Sequence, residues 1–247
     1  MLLGGIDGCK LGWIVIIKNH SEFEYFLIKT IEELHQLFKD QKARFFIDIP
    51  IGLSSKEFTR TVDTKLRAEL GPRRSTVFNA PCRSAVYESD RVKAKQLNIQ
   101  VEGKSLSEQT LNIKSKIKEV DQFILEKKDS IELLESHPEL CFKYLNDAKI
   151  MLSKKSEKTG IEQRLSVLKK YDSAVEDIYL KVLSETKRSI VKKDDILDAI
   201  CLCLSNTLAH SYQTSVIEDC NDKDQEELSV KIAFFNPAIY NLTKSTD

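Results

Sequence analysis

The chain has 247 residues, of which 41% are hydrophobic, and its 38 basic and 38 acidic side chains give a formal net charge of zero. A chain of this length and apolar content can bury the core of one large domain, which excludes an intrinsically disordered protein. The zero net charge argues against a protein that coats nucleic acid over its whole surface.

Cysteine usage and hydropathy indicate the compartment. Six cysteines occur without a Cys-x-x-Cys spacing, which favours reduced, buried thiols over disulfides or a zinc site. The chain shows neither the basic and apolar segments of a secretory signal nor a run of ~18 apolar residues that could span a membrane. We therefore expect a cytoplasmic protein without a membrane partner.

The N-terminal region shows three apolar runs joined by short loops, over residues 2–6, 12–17 and 23–28. This pattern predicts three strands of an antiparallel meander. In "GGIDGCKLGW", Asp7 lies between the first two runs and among glycines. If both runs are strands of one sheet, Asp7 lies on that sheet.

A helix and a fourth strand are predicted next. Thr30 and Glu33 form the pattern of a capping box at the start of an amphipathic stretch over residues 31–38. In "RFFIDIPIGL", the uninterrupted apolar run 45–47 is typical of a strand buried on both faces. Asp48 closes this strand, so a second carboxylate is expected at a strand end.

Residues 53–128 are mostly polar and helical in pattern, with the irregular basic centre "GPRRSTVFNAPCR". We interpret them as a helical, basic insertion beside the sheet. Residues 65–95 hold eight basic and three acidic side chains, and residues 143–170 repeat that imbalance. Such runs are commonly solvated helix faces, and a site for a polyanion is the alternative.

The apolar pattern resumes in "SIELLESHPEL", which predicts a fifth strand ending at Glu135 and a helix with Pro138 in its first turn. Helices are predicted over 138–147, 160–184 and 193–210, followed by an acidic loop around 218–227 and a closing strand "VKIAFF". In the last helix Asp195 and Asp198 are three residues apart, so they share one face.

This order of elements is that of the ribonuclease H core: three strands, a helix, a strand, a helix, a strand and a helix. "KDDILDA" resembles the Asp-x-x-Asp-Ala pattern in the last helix of Holliday-junction resolvases, which share this core. Seven motifs in order resemble an uncharacterised family of predicted ribonuclease H-like nucleases: "GIDGCKLGW", "IDIPIGL", "GPRRSTVF" with "PCR", "KIKEVD", "ESHPEL", "KTGIEQR" and "DDILDA". The resemblance implies an α/β fold, with a mixed five-stranded sheet in a single domain over 1–247 that carries the insertion 53–128.

The resemblance also implies a metal-dependent nuclease or phosphodiesterase. Such an enzyme hydrolyses phosphodiester bonds with two Mg²⁺ or Mn²⁺ ions about 3.5–4 Å apart, held by carboxylates. The metal ligands would be Asp7, Asp48, Asp195 and Asp198, with Asp7 as the bridging ligand and Glu135 as an alternative fourth acid. His137 would pass a proton to the leaving group. The phosphate-binding side chains would be Arg67, Arg73, Arg74, Arg83, Lys158 and Arg164.

Each of these residues also has a structural alternative. Asp7 and Asp48 could end strands, Asp195 could favour the start of a helix, and Glu135 could cap the next one. His137 could be a structural histidine, and Arg73 and Arg74 in "GPRRS" could pair with carboxylates of the core.

Two other functions stay open on the sequence alone. They are a phosphotransferase of the actin and hexokinase superfamily and a non-catalytic module that binds nucleic acid or protein. Resolvase-like cores often pair, so a homodimer is a further expectation, and the kind of nucleic acid or nucleotide is left open.

Overall fold

The structure is a computed structural model that describes residues 1–19, 22–126 and 130–238. The chain divides into two compact units. The first, here called the sheet unit, consists of Met1–Asp48, Lys128–Ser215 and Ala233–Asp247. The second, the helical unit, consists of Ile49–Lys127 and Val216–Ile232.

A five-stranded mixed sheet forms the core of the sheet unit. Its strands are β1 (Leu2–Gly8), β2 (Trp13–Asn19), β3 (Glu22–Ile28), β4 (Ala43–Ile47) and β5 (Ile131–Glu135). They lie in the order β3-β2-β1-β4-β5, with β2 antiparallel to β1 and β3, and with β4 parallel to β1 and β5. The predicted α/β class, the meander and all five strands are confirmed.

Nine α-helices and a short 3-10 helix lie within the described residues. The α-helices are α1 (Glu32–Phe38), α2 (Val62–Leu70), α3 (Arg83–Tyr87), α4 (Arg91–Glu102), α5 (Glu108–Leu125), α6 (Pro138–Leu145), α7 (Lys158–Lys169), α8 (Val175–Glu185) and α9 (Lys193–Ser211). The 3-10 helix is Gly71–Thr76, and strands β6 (Thr214–Lys223) and β7 (Ser229–Phe235) pair with each other. The described part of the chain contains no helix long and apolar enough to cross a membrane.

Helix α1 covers one face of the sheet and α9 the other. The Phe38 ring of α1 packs on Phe45 of β4, with ring centroids 5.7 Å apart. On the opposite face, Arg44 of β4 donates a hydrogen bond from Nε to Oδ1 of Asn206 in α9, at 2.7 Å. Residues of β4 alternate between the two helices, which explains why this strand is apolar almost throughout.

The close approach of α9 to β1 depends on Gly5. A Cβ atom at this position would lie 2.2 Å from the backbone nitrogen of Cys203 and 2.4 Å from the carbonyl oxygen of Ala199. Only a glycine leaves room for that helix backbone. The contact shows that the face of β1 on which Gly5 lies is the one that packs against α9.

Two predicted elements need correction. The single helix expected over 160–184 is two helices, α7 and α8, because the Asp172 carboxylate accepts the backbone N–H of Ala174 and turns the chain. The acidic segment 218–227 is largely strand β6 and not a loop. The Asp219 carboxylate there is buried and accepts the N–H groups of Thr61 and Val62 at the start of α2.

The helical unit has a small core of its own. Its buried cluster consists of Cys82, Ala85, Ala94, Leu106 and Leu111.

All six cysteines of the chain are free and five are buried, which confirms the prediction of reduced, buried thiols.

Candidate functional site

Asp7 and Asp48 lie side by side at the carboxyl ends of two neighbouring strands. Ile6 of β1 pairs with Ile47 of β4, and the backbone N–H of Asp48 donates to the carbonyl oxygen of Ile6 at 3.2 Å. The next residues along these parallel strands, Asp7 and Asp48, therefore share one row and one face. Both residues are half-buried.

The face that carries both carboxylates is the one covered by α9. Gly5 contacts α9, and Asp7, two residues further along the strand, points to the same side. Asp198 precedes Ala199, the residue whose carbonyl oxygen faces Gly5. Asp198 is 2% exposed, so α9 presents a buried third carboxylate to this end of the sheet.

The electrostatics of the three side chains reflect their proximity. Burial raises the pKa of Asp7 well above its usual value, and the charges of Asp198 and Asp48 raise it further. Burial also raises the pKa of Asp48, against the opposing effects of His137 and Lys155. Burial raises the pKa of Asp198 to about 6 although Lys155 opposes the shift. We call Asp7, Asp48 and Asp198 the carboxylate cluster.

Lys155 supplies the positive charge of the cluster, and the sequence analysis did not identify it. Its Nζ lies 2.6 Å from Oδ2 of Asp198 and 3.9 Å from Oδ2 of Asp194. The charge of Asp198 is the largest cause that raises the pKa of Lys155, and Asp7 and Asp48 add to it. The side chain therefore stays an ammonium ion, and it bonds directly to one of the three carboxylates.

A buried ion pair lies behind the cluster. Glu139, in the first turn of α6, accepts a bond from Nη2 of Arg164 at 2.8 Å. Glu139 raises the pKa values of Asp48 and Asp198, so it belongs to the surroundings of the site. Arg164 was expected to bind phosphate, but it is 0% exposed and its Nη1 also bonds to the carbonyl oxygens of Ser153 and Gly160. The structure places Arg164 as a support of the site.

Three predicted acid–base residues occupy different positions. Glu135 pairs in register with Ile47, so the strand directs it to the face opposite Asp48. Asp195 accepts the backbone N–H of Lys192 at 2.9 Å, which is the helix-start role, and its charge still raises the pKa of Asp7. Half-buried His137 precedes α6, and its Nδ1 has no hydrogen-bond partner among the described residues.

The other predicted phosphate-binding residues are placed as follows. Arg67 donates to Asn79, at 2.6 Å, and Arg83 binds Asp121 and Asp224, all within the helical unit. Arg73 is half-buried and Arg74 is exposed on the 3-10 helix, and Lys158 is exposed on α7. Arg83 is thus engaged by two carboxylates, a pairing that the sequence analysis did not predict.

The donor set of the cluster suits a hard divalent cation in its chemistry, because carboxylate oxygens are the ligands that Mg²⁺ prefers. Within the described ranges, however, no group of three His, Cys, Asp or Glu side chains is arranged to hold a metal ion. One of the three carboxylates of the cluster, Asp198, is bonded to Lys155.

A family model described as a protein of unknown function (DUF429) matches residues 5–219, which is most of the chain. The match confirms the predicted relationship to an uncharacterised family. No curated protein and no solved structure matches the chain.

Proposed function

We propose that this chain, which belongs to the DUF429 family of proteins of unknown function, is a divalent-cation-dependent phosphodiesterase that cleaves nucleic acid. The observation that carries the proposal is the pair Asp7 and Asp48 at adjacent strand ends, facing Asp198 of the last helix. Acidic side chains this close together destabilise the cation-free protein, because they repel one another. A bound cation would remove that repulsion.

The arrangement of the elements supports a ribonuclease H-like scaffold. Strands β1, β2 and β3 form a meander, β4 and β5 extend the sheet in parallel, and α9 closes the face on which the acids lie. Ligands of open α/β sheets bind at the carboxyl ends of the strands. Asp7 and Asp48 stand at that edge.

In this proposal Asp7 and Asp48 hold the divalent cation, which supplies Lewis-acid activation of water and neutralises charge on the phosphate when bound. Each is half-buried, so a phosphate group can approach from solvent while the protein shields part of the site. His137 carries a proton at its imidazole to the leaving oxygen. Its unpartnered Nδ1 and its electrostatic effect on Asp48 support this role.

Phosphates further along the nucleic acid are assigned to exposed basic side chains. Arg74 on the 3-10 helix and Lys158 on α7 are the exposed members of the predicted set. Each such contact adds salt-dependent affinity because it releases counterions from the nucleic acid. Arg164 and Arg83 take no part in this, because carboxylates hold both guanidinium groups.

A nuclease assay tests the proposal. Single- and double-stranded DNA, RNA and a four-way junction are incubated with the protein in Mn²⁺, in Mg²⁺ and in a chelator. We expect cation-dependent cleavage of at least one substrate, abolished in Asp7→Asn and retained in Asp40→Asn, an exposed aspartate used as the matched control. Binding without cleavage under every condition would instead support the non-catalytic module.

A further inference from the structure

We infer that the ammonium group of Lys155 takes the place of a second metal ion in the carboxylate cluster. The site therefore binds one divalent ion, whereas the two-metal mechanism of phosphodiester hydrolysis requires two. The inference rests on the proposed function and concerns how its metal site is composed. The assignment follows from where Lys155 lies, how it is held there and what charge is left for a metal.

The ammonium group of Lys155 occupies the place beside Asp198 that a metal ion bound to this carboxylate would take. Its Nζ bonds to Asp198 at 2.6 Å, and the Asp198 side chain is 2% exposed. A second metal ion on Asp198 would have to displace an ammonium from a buried carboxylate. The displacement would break the bond between Lys155 and Asp198, and the released ammonium would stay next to the incoming metal ion and repel it.

The backbone beside Lys155 is fixed. Arg164, itself fully buried, donates from Nη1 to the carbonyl oxygen of Ser153 at 3.1 Å. A Cβ atom on Gly160 would lie 2.0 Å from the carbonyl oxygen of Lys154, so the chain just before Lys155 packs tightly on α7. The neighbouring Lys154 has a side chain that is 75% exposed and pairs with Glu157. Lys155, whose side chain is 40% exposed, therefore bonds to the cluster, whereas the more exposed Lys154 pairs with a residue outside the cluster.

The charge count favours one divalent ion. Carboxylates that bind a metal ion are deprotonated, so in the cation-bound state Asp7, Asp48 and Asp198 carry three negative charges, and Lys155 neutralises one of them. The remaining two equal the charge of one Mg²⁺ or Mn²⁺, while a second ion would leave the half-buried cluster with two excess positive charges. The Glu139–Arg164 pair adds no net charge. Asp194 and Asp195 are half-buried at the start of α9, where the helix dipole already favours them.

This composition gives Lys155 a role toward the substrate. An ammonium at Asp198 supplies fixed positive charge next to the cation held by Asp7 and Asp48. A phosphate bound there would meet one metal ion and one ammonium, with no need for a second metal to be recruited from solution.

Counting bound Mn²⁺ by equilibrium dialysis, with electron paramagnetic resonance of the free ion, tests the inference without reference to activity. We expect one Mn²⁺ per wild-type chain and none in Asp7→Asn. In Lys155→Met, which keeps an unbranched side chain and removes the ammonium group, Asp198 is released and we expect two. Lys154→Met is the matched control and should bind one.

Other counts overturn the inference in distinguishable ways. Equal counts in the wild type and Lys155→Met, whether one or two ions, would overturn the role of Lys155 and leave the proposed metal-dependent function standing. No binding in the wild type at millimolar Mn²⁺ would overturn both. If circular dichroism shows that Lys155→Met does not fold, Lys155→Arg replaces it: this variant keeps the charge and is expected to bind one ion, and the wild-type count still decides between one and two.

Discussion

The backbone N–H of Asp48 donates to the carbonyl oxygen of Ile6, and this bond sets the Asp48 carboxylate beside that of Asp7. Two like charges are thus brought together by main-chain pairing, which side-chain rearrangement cannot undo. Electrostatic repulsion between the two carboxylates therefore lowers the stability of the fold, and the size of this effect can be measured by mutation.

Replacing Asp7 by asparagine should raise the melting temperature of the metal-free protein. The pKa of Asp7 is raised by burial and by the charges of Asp198, Asp48 and Asp195, so placing a carboxylate there costs folding free energy, and Asn keeps the shape without the charge. Mn²⁺ at a hundred times its Kd should stabilise the wild type by about 2.7 kcal/mol and leave the variant unchanged. Thermal melts with and without Mn²⁺ measure both effects. A lower melting temperature together with a wild-type response to Mn²⁺ would show that Asp7 is a structural turn residue.

The stability of the metal-free protein should fall as pH rises through the acid range. The folded-state pKa of Asp198 is about 6 against 3.8 for a free aspartate, so between these values the folded state binds the proton more tightly than the unfolded state. The stabilisation is complete below 3.8 and is lost as pH passes about 6. The loss for this group is on the order of 3 kcal/mol. Urea unfolding of the wild type and Asp198→Asn across this range measures it, and parallel pH profiles for the two proteins would contradict the assignment.

Arg83→Ala should cost stability and leave nucleic-acid affinity unaffected. Its guanidinium bonds to Asp121 at 2.6 Å and to Asp224, and the side chains of these acids are 2% and 0% exposed. Removing one partner of a buried pair costs about 3–5 kcal/mol because charge is left buried and unpaired. Urea unfolding and a fluorescence binding titration are the measurements. Retained stability with weakened binding would return Arg83 to the phosphate contacts.

Arg73→Ala and Arg74→Ala should weaken nucleic-acid binding and flatten its salt dependence. Each lost phosphate contact lowers the slope of log affinity against log salt by about 1. Arg74 is the sharper test because it is exposed, so its loss should not affect folding. Lys56→Ala, another exposed cation, serves as the control. An unchanged slope in both variants, with a lowered melting temperature, would mean that the two arginines serve the fold.

The sequence allowed the strands and the carboxylates to be predicted because both are local signals. The uninterrupted apolar run before Asp48 required a strand covered on both sides, and the spacing of Asp195 and Asp198 placed them on one helix face. Family motifs then indicated which acids belong together. That information was enough to locate one edge of the sheet.

Other features depend on contacts between distant segments, which the sequence does not reveal. Lys155 lies in a basic run where lysines are commonly solvated, and its pairing with Asp198 exists only because the chain before α7 returns to α9. Glu139 had no local mark to separate it from a surface acid in a first helical turn. Glu135 was predicted to join the other acids because it ends a strand, and that strand end was identified correctly. The face of the sheet on which Glu135 lies is set by the register between β4 and β5, which the sequence does not reveal.

The contact of Gly5 with the backbone of α9 has a consequence for how the protein tolerates mutation. The separation between strand and helix is set there by main-chain atoms, 2.2 Å from where a side chain would begin. We therefore expect that apolar side chains elsewhere between the sheet and α9 can be exchanged for others of similar volume with little change in the separation between β1 and α9. The distance between these acids should therefore depend little on conservative substitutions in the core. It should depend strongly on Gly5, where the methyl group of an alanine would push α9 away from β1.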